Sequence, residues 1–306
     1  MISVRHSHED TVVFSLVLAA SLSAQSLDDA QLLARRTLGA GVSYTHEDWS
    51  QYWEGTLSRS NGNVGSVSTQ TVTLLSAYGV TDRLTVLAML PYVWTEASQG
   101  PLHGMHGIQD LTLGAKYRLL STPFTDQGTL RAIVVAAVGT PASDYTPDFL
   151  PLAIGLGSKR AGGRLTLNFQ AHQGWFLNGS AGYTWRGKVT LERPSYYTNG
   201  RLYLTNEVKM PNVADYVFTA GYQKGRLCVP ISFSWQNTLG GGDIRRQDMP
   251  FVSNNMDFTK LEGMVMYTLP SPRDLSIRFG TSQVMDGRNV GQSTTFSGAL
   301  FYLLHF

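Results

Sequence analysis

The 306-residue sequence has a single cysteine, few charges and, beyond residue 24, no long apolar run. Each shortage excludes something. One thiol, Cys228, cannot staple a disulfide framework within the chain. Charged residues make up 15% at a formal net charge of +2, and no Lys/Arg run is long enough to track phosphates, which removes nucleic acid as a partner. The longest apolar stretch after residue 24, Ala132 to Val138, is far shorter than the ~20 residues a spanning helix needs. His103-Gly-Met-His106 offers two imidazoles and a thioether without a third strong ligand, and His46-Glu-Asp48 reads as a solvated loop. No metal or cofactor is expected.

What is present is glycine, at 31 residues, and aromatics, with 14 Tyr, 13 Phe and 6 Trp. That composition suits a sheet with one face in lipid. The first 24 residues read as a secretory signal: Arg5, His6 and His8, an apolar run from Thr11 to Leu22, then small residues around Ser21, Ser23 and Ala24. Glu9 and Asp10 are unusual in such a leader, and the run is too short to anchor the chain as a spanning helix. Residues 25–306 are expected to form one domain.

Past residue 35 the apolar pattern has period two, in segments of about ten residues separated by turn signals. Trp175, Leu177, Gly179, Ala181, Tyr183 and Trp185 fall on one face of a strand whose other face carries Phe176, Asn178, Ser180, Gly182, Thr184 and Arg186. Leu165, Leu167 and Phe169 oppose Arg164, Thr166, Asn168 and Gln170 in the same way. Such segments predict strands over 36–45, 67–80, 83–95, 107–119, 129–140, 163–171, 175–186, 214–223, 226–239, 257–269, 275–285 and 293–306. Their connectors alternate short and long, the rhythm of an antiparallel up-and-down meander. Aromatics tip the apolar face near strand ends, as in Tyr92, Trp94, Trp175, Tyr183, Trp185, Tyr222, Trp235 and Tyr267, matching the two girdles of a bilayer's interfaces. The final strand ends on Phe306 in register with that face. In hydrocarbon every backbone N–H and C=O must be paired, so the sheet must close on itself. The fold class expected is all-β, a transmembrane β-barrel of about 12 strands in the outer membrane of a Gram-negative bacterium; a soluble sandwich, whose strands also alternate, lacks the girdles. Pro230, inside a strand, must sit at a bulge or an unpaired position.

Two stretches go beyond pattern. Ala77-Tyr-Gly-Val-Thr-Asp-Arg-Leu-Thr-Val-Leu-Ala-Met-Leu-Pro-Tyr92 and Gly107-Ile-Gln-Asp-Leu-Thr-Leu-Gly-Ala-Lys-Tyr-Arg-Leu119 together resemble the outer-membrane transporter-like family of the MetA pathway of phenol degradation. Val80 and Gln109 stand where that family usually has Leu or Ile and a second Gly. The resemblance implies a barrel that moves small, often aromatic or hydrophobic, compounds.

On these strand phases the inner face carries Asp110, Lys116, Arg118, Arg131, Arg164, Arg186, Arg226, Lys260, Glu262 and Arg278. A lumen so weighted towards cations lowers the entry barrier for anionic solutes, although several of these side chains lie near strand ends and line only the rims. Leu87, Met89, Ile133, Val135, Met264 and Met266 also face inward, so the lumen is either plugged or holds an apolar path beside Lys260 and Glu262. Expected partners are outer-membrane lipid and lipopolysaccharide, the barrel-assembly machinery through the strand ending at Phe306, and a small-molecule solute. The alternatives are a non-transporting surface or assembly barrel and, more remotely, a barrel phospholipase or protease. Ser58-Arg-Ser-Asn-Gly62 lacks the His a nucleophilic serine needs, and His46, Glu47, Asp48 and Glu54 match a protease in composition only. No catalytic residue is assigned.

Overall fold

A computed structural model describes residues 26–245 and 250–306. The expected signal segment, 1–24, lies outside the described residues. Twelve antiparallel strands form the wall: β1 Thr37–Trp49, β2 Val67–Thr81, β3 Leu84–Ala97, β4 Asp110–Phe124, β5 Gly128–Pro141, β6 Arg160–Ala171, β7 Trp175–Arg186, β8 Asn212–Lys224, β9 Leu227–Leu239, β10 Asp257–Thr268, β11 Leu275–Arg288 and β12 Thr294–His305. Each pairs with its sequence neighbours, and β1 pairs with β12 from Thr37↔His305 to Asp48↔Thr294, so the sheet closes without an edge. Strands of ~13 residues are about 43 Å long at ~3.3 Å per residue. Tilted by ~40°, they rise roughly 33 Å, enough to cross a hydrocarbon core.

The alternation sorts the side chains as the pattern requires. Leu74, Val86, Leu113, Leu167, Leu177, Phe218, Ile231, Phe279 and Phe296 stand exposed on the outer surface, where in a membrane they meet lipid. Trp94, Tyr183, Trp185 and Trp235 ring the end with long loops, and Trp175, Tyr267, Tyr302 and Phe306 ring the end with short turns. Trp175 and Tyr222 of adjacent strands meet edge-on at 5.0 Å between centroids.

Two irregularities are informative. Pro230 pairs with Gly221 of β8, while the β9–β10 ladder skips Val229 and Pro230 and resumes at Ile231 in unchanged register. The proline therefore sits at an unpaired position and not at a bulge, because its missing N–H would point at β10. The expected strand 107–119 is divided at Gln109. His106–Ile108 pairs with the upper half of β3, whereas β4 pairs with its lower half from Leu84 to Met89.

Candidate functional site

The interior is divided between two pieces of chain that enter it from opposite ends. From the short-turn end, Ser26–Arg35 runs up inside the wall against β2–β5 and β12. Arg36, with φ at 60°, turns the backbone from this segment into β1. Leu33 is buried among Ala77, Leu87, Phe301 and Leu303, and Ala30 among Ile133 and Val135, with Leu27 touching both groups. These apolar side chains face inward because the segment covers them. The wall makes room with glycine: a Cβ on Gly79 would lie 2.0 Å from the Ala34 carbonyl oxygen, and one on Gly114 would lie 2.6 Å from Leu27.

The segment is also pinned by charge. Lys116, fully buried, donates to Asp29 at 2.6 Å and to the Ser26 carbonyl at 2.9 Å. A buried ammonium is tolerable only with such partners. The Leu33 amide donates to Thr85 at 2.9 Å and the Arg35 amide to Asp82 at 3.1 Å, so the backbone follows the wall to the rim.

Because the segment fills one side, space remains along β7–β11. A lower chamber of ≈ 260 Å³ is lined there by Phe176, Cys228, Met264 and Met266 beside Asn178, Glu262 and Arg278, with Asp28 and Asp29 facing them from the segment. Above it, the inward side chains converge on an ion pair: Arg164 bridges Asp215 and donates to Ser180 at 2.8 Å. Higher still, an upper chamber of ≈ 340 Å³ is lined by Asp110, Arg160, Thr184, Arg186, Val213, Asp215 and Gln236.

The roof of the upper chamber is the loop over 142–159, which folds into the mouth. Thr95 donates to the Leu152 carbonyl and Gln109 to the Ile154 carbonyl, each at 2.6 Å. Tyr145 donates to Asp110 at 2.6 Å and accepts from the Gly157 amide at 3.0 Å. Burial, and then the Asp110 carboxylate, push the Tyr145 phenol well above its ordinary range, so it remains a donor. Outside this roof the loops build their own apolar core from Val189, Leu191, Tyr196, Val208, Met210 and Phe251.

Among the residues expected to face the lumen, Asp110, Lys116, Arg164, Arg186, Glu262 and Arg278 take part in these arrangements. Lys260 approaches Glu262 at 3.5 Å. Arg131 reaches Asn168 at 3.5 Å, and Arg118 donates to the Asp82 carbonyl at the short-turn rim. Arg226 is exposed in the turn before β9 and lies outside that strand. Ser58 and Ser60 belong to a hairpin, Gln51–Glu54 with Leu57–Ser60, in the first long loop. Pattern reading missed three acids, Asp28, Asp29 and Asp215, together with Arg160; alternation along β8 places Asp215 on the same face as Val213 and Thr219. The charge balance changes accordingly, since most inward cations have a carboxylate beside them.

A family profile described as a putative MetA pathway of phenol degradation matches residues 56–298. The chain belongs to this family. The matched span covers the wall from β2 into β12 and leaves out the family member's luminal segment and β1. Its fold is that of the COG4313 outer membrane channel from Pseudomonas putida F1, with TM-score 0.72 at 13% identity over 90% of this chain and 98% of that one. The CymD monoaromatic hydrocarbon channel aligns more loosely, at 12% identity and TM-score 0.38 over 90% of this chain and 89% of that one. No curated protein sequence matches. The family member's closed wall, apolar skin and paired girdles are the architecture of an outer-membrane barrel.

Proposed function

We propose that the protein is an outer-membrane channel for small, largely apolar solutes, exported by the leader over 1–24, and not an enzyme. The observation that carries this reading is the pair of chambers stacked along β7–β9, the lower one reaching on to β10 and β11. Phe176, Met264 and Met266 offer a soft apolar surface in the lower one, and polar groups sit at fixed points beside it. Lys260, Glu262 and Arg278 are the polar contacts of this path at mid-depth. Phe306, exposed at the end of the chain, is the feature we assign to the barrel-assembly machinery, and the loop-end girdle meets lipopolysaccharide.

Purified protein reconstituted into vesicles with a lipopolysaccharide outer leaflet, which resists apolar solutes, should speed the entry of toluene or phenol over empty vesicles, with little effect on sugars of similar size. Equal rates with and without protein would sink the reading. The pieces of chain that enter the lumen from both ends favour a second one, a non-transporting surface barrel whose loops do the work; stable insertion with no flux of any solute supports it.

A further inference from the structure

The upper chamber contains a cation without a counter-charge. Arg160 and Arg186 lie directly opposite each other on β6 and β7, and both line this chamber. Two guanidinium groups so placed repel one another unless acids intervene. Arg160 has its acid: it donates to Asp110 at 2.7 Å and to Thr112 at 2.8 Å. The other carboxylate of the chamber, Asp215, is taken by Arg164. Among the described residues the Arg186 guanidinium has no ion pair and no hydrogen bond; only its backbone amide is held, by Asn212 at 3.0 Å. Both acids are spent, so the chamber carries one uncompensated positive charge beneath the loop over 142–159.

We propose that Arg186 is the head-group subsite for a small organic carboxylate. A carboxylate matches the planar fork of a guanidinium in two parallel hydrogen bonds. A space of ≈ 340 Å³ holds a benzoate-sized molecule, and Leu156 and Val213 offer its ring an apolar surface. Thr184 and Gln236 stand at the same level as further polar contacts. The inference rests on the channel reading and narrows it: acid-bearing rings are held at this level, whereas neutral rings are not.

The test is calorimetric titration of the full-length barrel in detergent with benzoate and with benzyl alcohol, its neutral analogue. Wild type should prefer benzoate by about ten-fold or more, the strength of a charge-assisted contact. Arg186→Gln should bring that preference to about one, and Arg186→Lys should keep part of it. Heat-modified gel mobility checks that each variant still forms a barrel. Equal benzoate binding in wild type and Arg186→Gln overturns the subsite, as does phosphate that displaces benzoate at equal concentration, which would mean a site for any anion. Flux into the lipopolysaccharide-coated vesicles separates the two claims. Faster toluene entry than into empty vesicles without benzoate preference defeats the subsite and leaves the channel standing, whereas no gain over empty vesicles for either solute defeats the channel.

Discussion

The two ends of the lumen each hold a piece of chain, but by different physics. At the short-turn end it is an apolar segment held by an ion pair whose lysine is fully buried, Lys116 with Asp29. At the loop end it is a loop whose bonds go largely to its own backbone carbonyls, from Thr95 and Gln109, plus one phenol on a carboxylate. A buried charge stripped of its partner is expensive, while a single neutral hydrogen bond is worth about 1 kcal/mol. The lower closure should therefore behave as a fixed part of the wall, and the upper one should yield first.

The largest effect should come from breaking the lower lock. Asp29→Ala leaves Lys116 buried without its acid, a cost of about 3–5 kcal/mol, comparable to what burial of Leu27 and Leu33 supplies to the segment. The segment should leave the lumen, and single-channel conductance should rise several-fold. The double variant Asp29→Leu with Lys116→Met replaces charge by apolar volume and should return conductance towards wild type. If Asp29→Ala conducts as wild type does, the lower closure does not depend on its ion pair.

A smaller effect is expected at the upper closure. Tyr145→Phe removes one bond to Asp110 and should cost about 1–2 kcal/mol. Brief openings should become more frequent in bilayer recordings while the fully open conductance stays the same. A Tyr145→Phe effect as large as that of Asp29→Ala would erase the contrast between the two ends.

The smallest effect concerns the loops outside the roof. Hydrogen bonds from Arg288, at 2.7 and 2.8 Å, hold the Asp243 carboxyl below its ordinary range, and Asn289 adds a third. A depressed carboxyl stabilises the folded loop above the unfolded pKa and loses that contribution as pH falls through the folded value. The pair is partly exposed and screened, so only a modest change is expected. Protease cleavage within 240–256 should increase on acidification in wild type and show a weaker pH dependence in Asp243→Asn.

These contrasts divide the molecule into what its sequence reveals and what it conceals. The wall was legible because alternation is local: Trp175 to Arg186 announces both of its faces within twelve residues. Arg160 was missed because Gly162 and Gly163 interrupt the apolar pattern and made β6 read as starting three residues late. The luminal segment was invisible for a different reason. Ser26–Arg35 has no period of its own, and its partners, Thr85, Lys116, Phe301 and Leu303, lie 50 to 270 positions away along the chain. The roof loop bonds through carbonyl groups that every residue possesses, so no side-chain pattern marks Leu152 or Ile154 as acceptors. The inner cations were placed by phase alone, and their acids came largely from segments that phase does not describe.

Gly79 and Gly114 give the inner wall a keyway. Where other positions define the passage by the side chains they carry, these two define it by methyl groups that are missing. A lock whose fit depends on empty notches is jammed by the smallest possible filing error: Gly79→Ala keeps every strand pairing of β2, yet sets its new carbon against the Ala34 carbonyl. Permeability would then change through a residue that no solute touches.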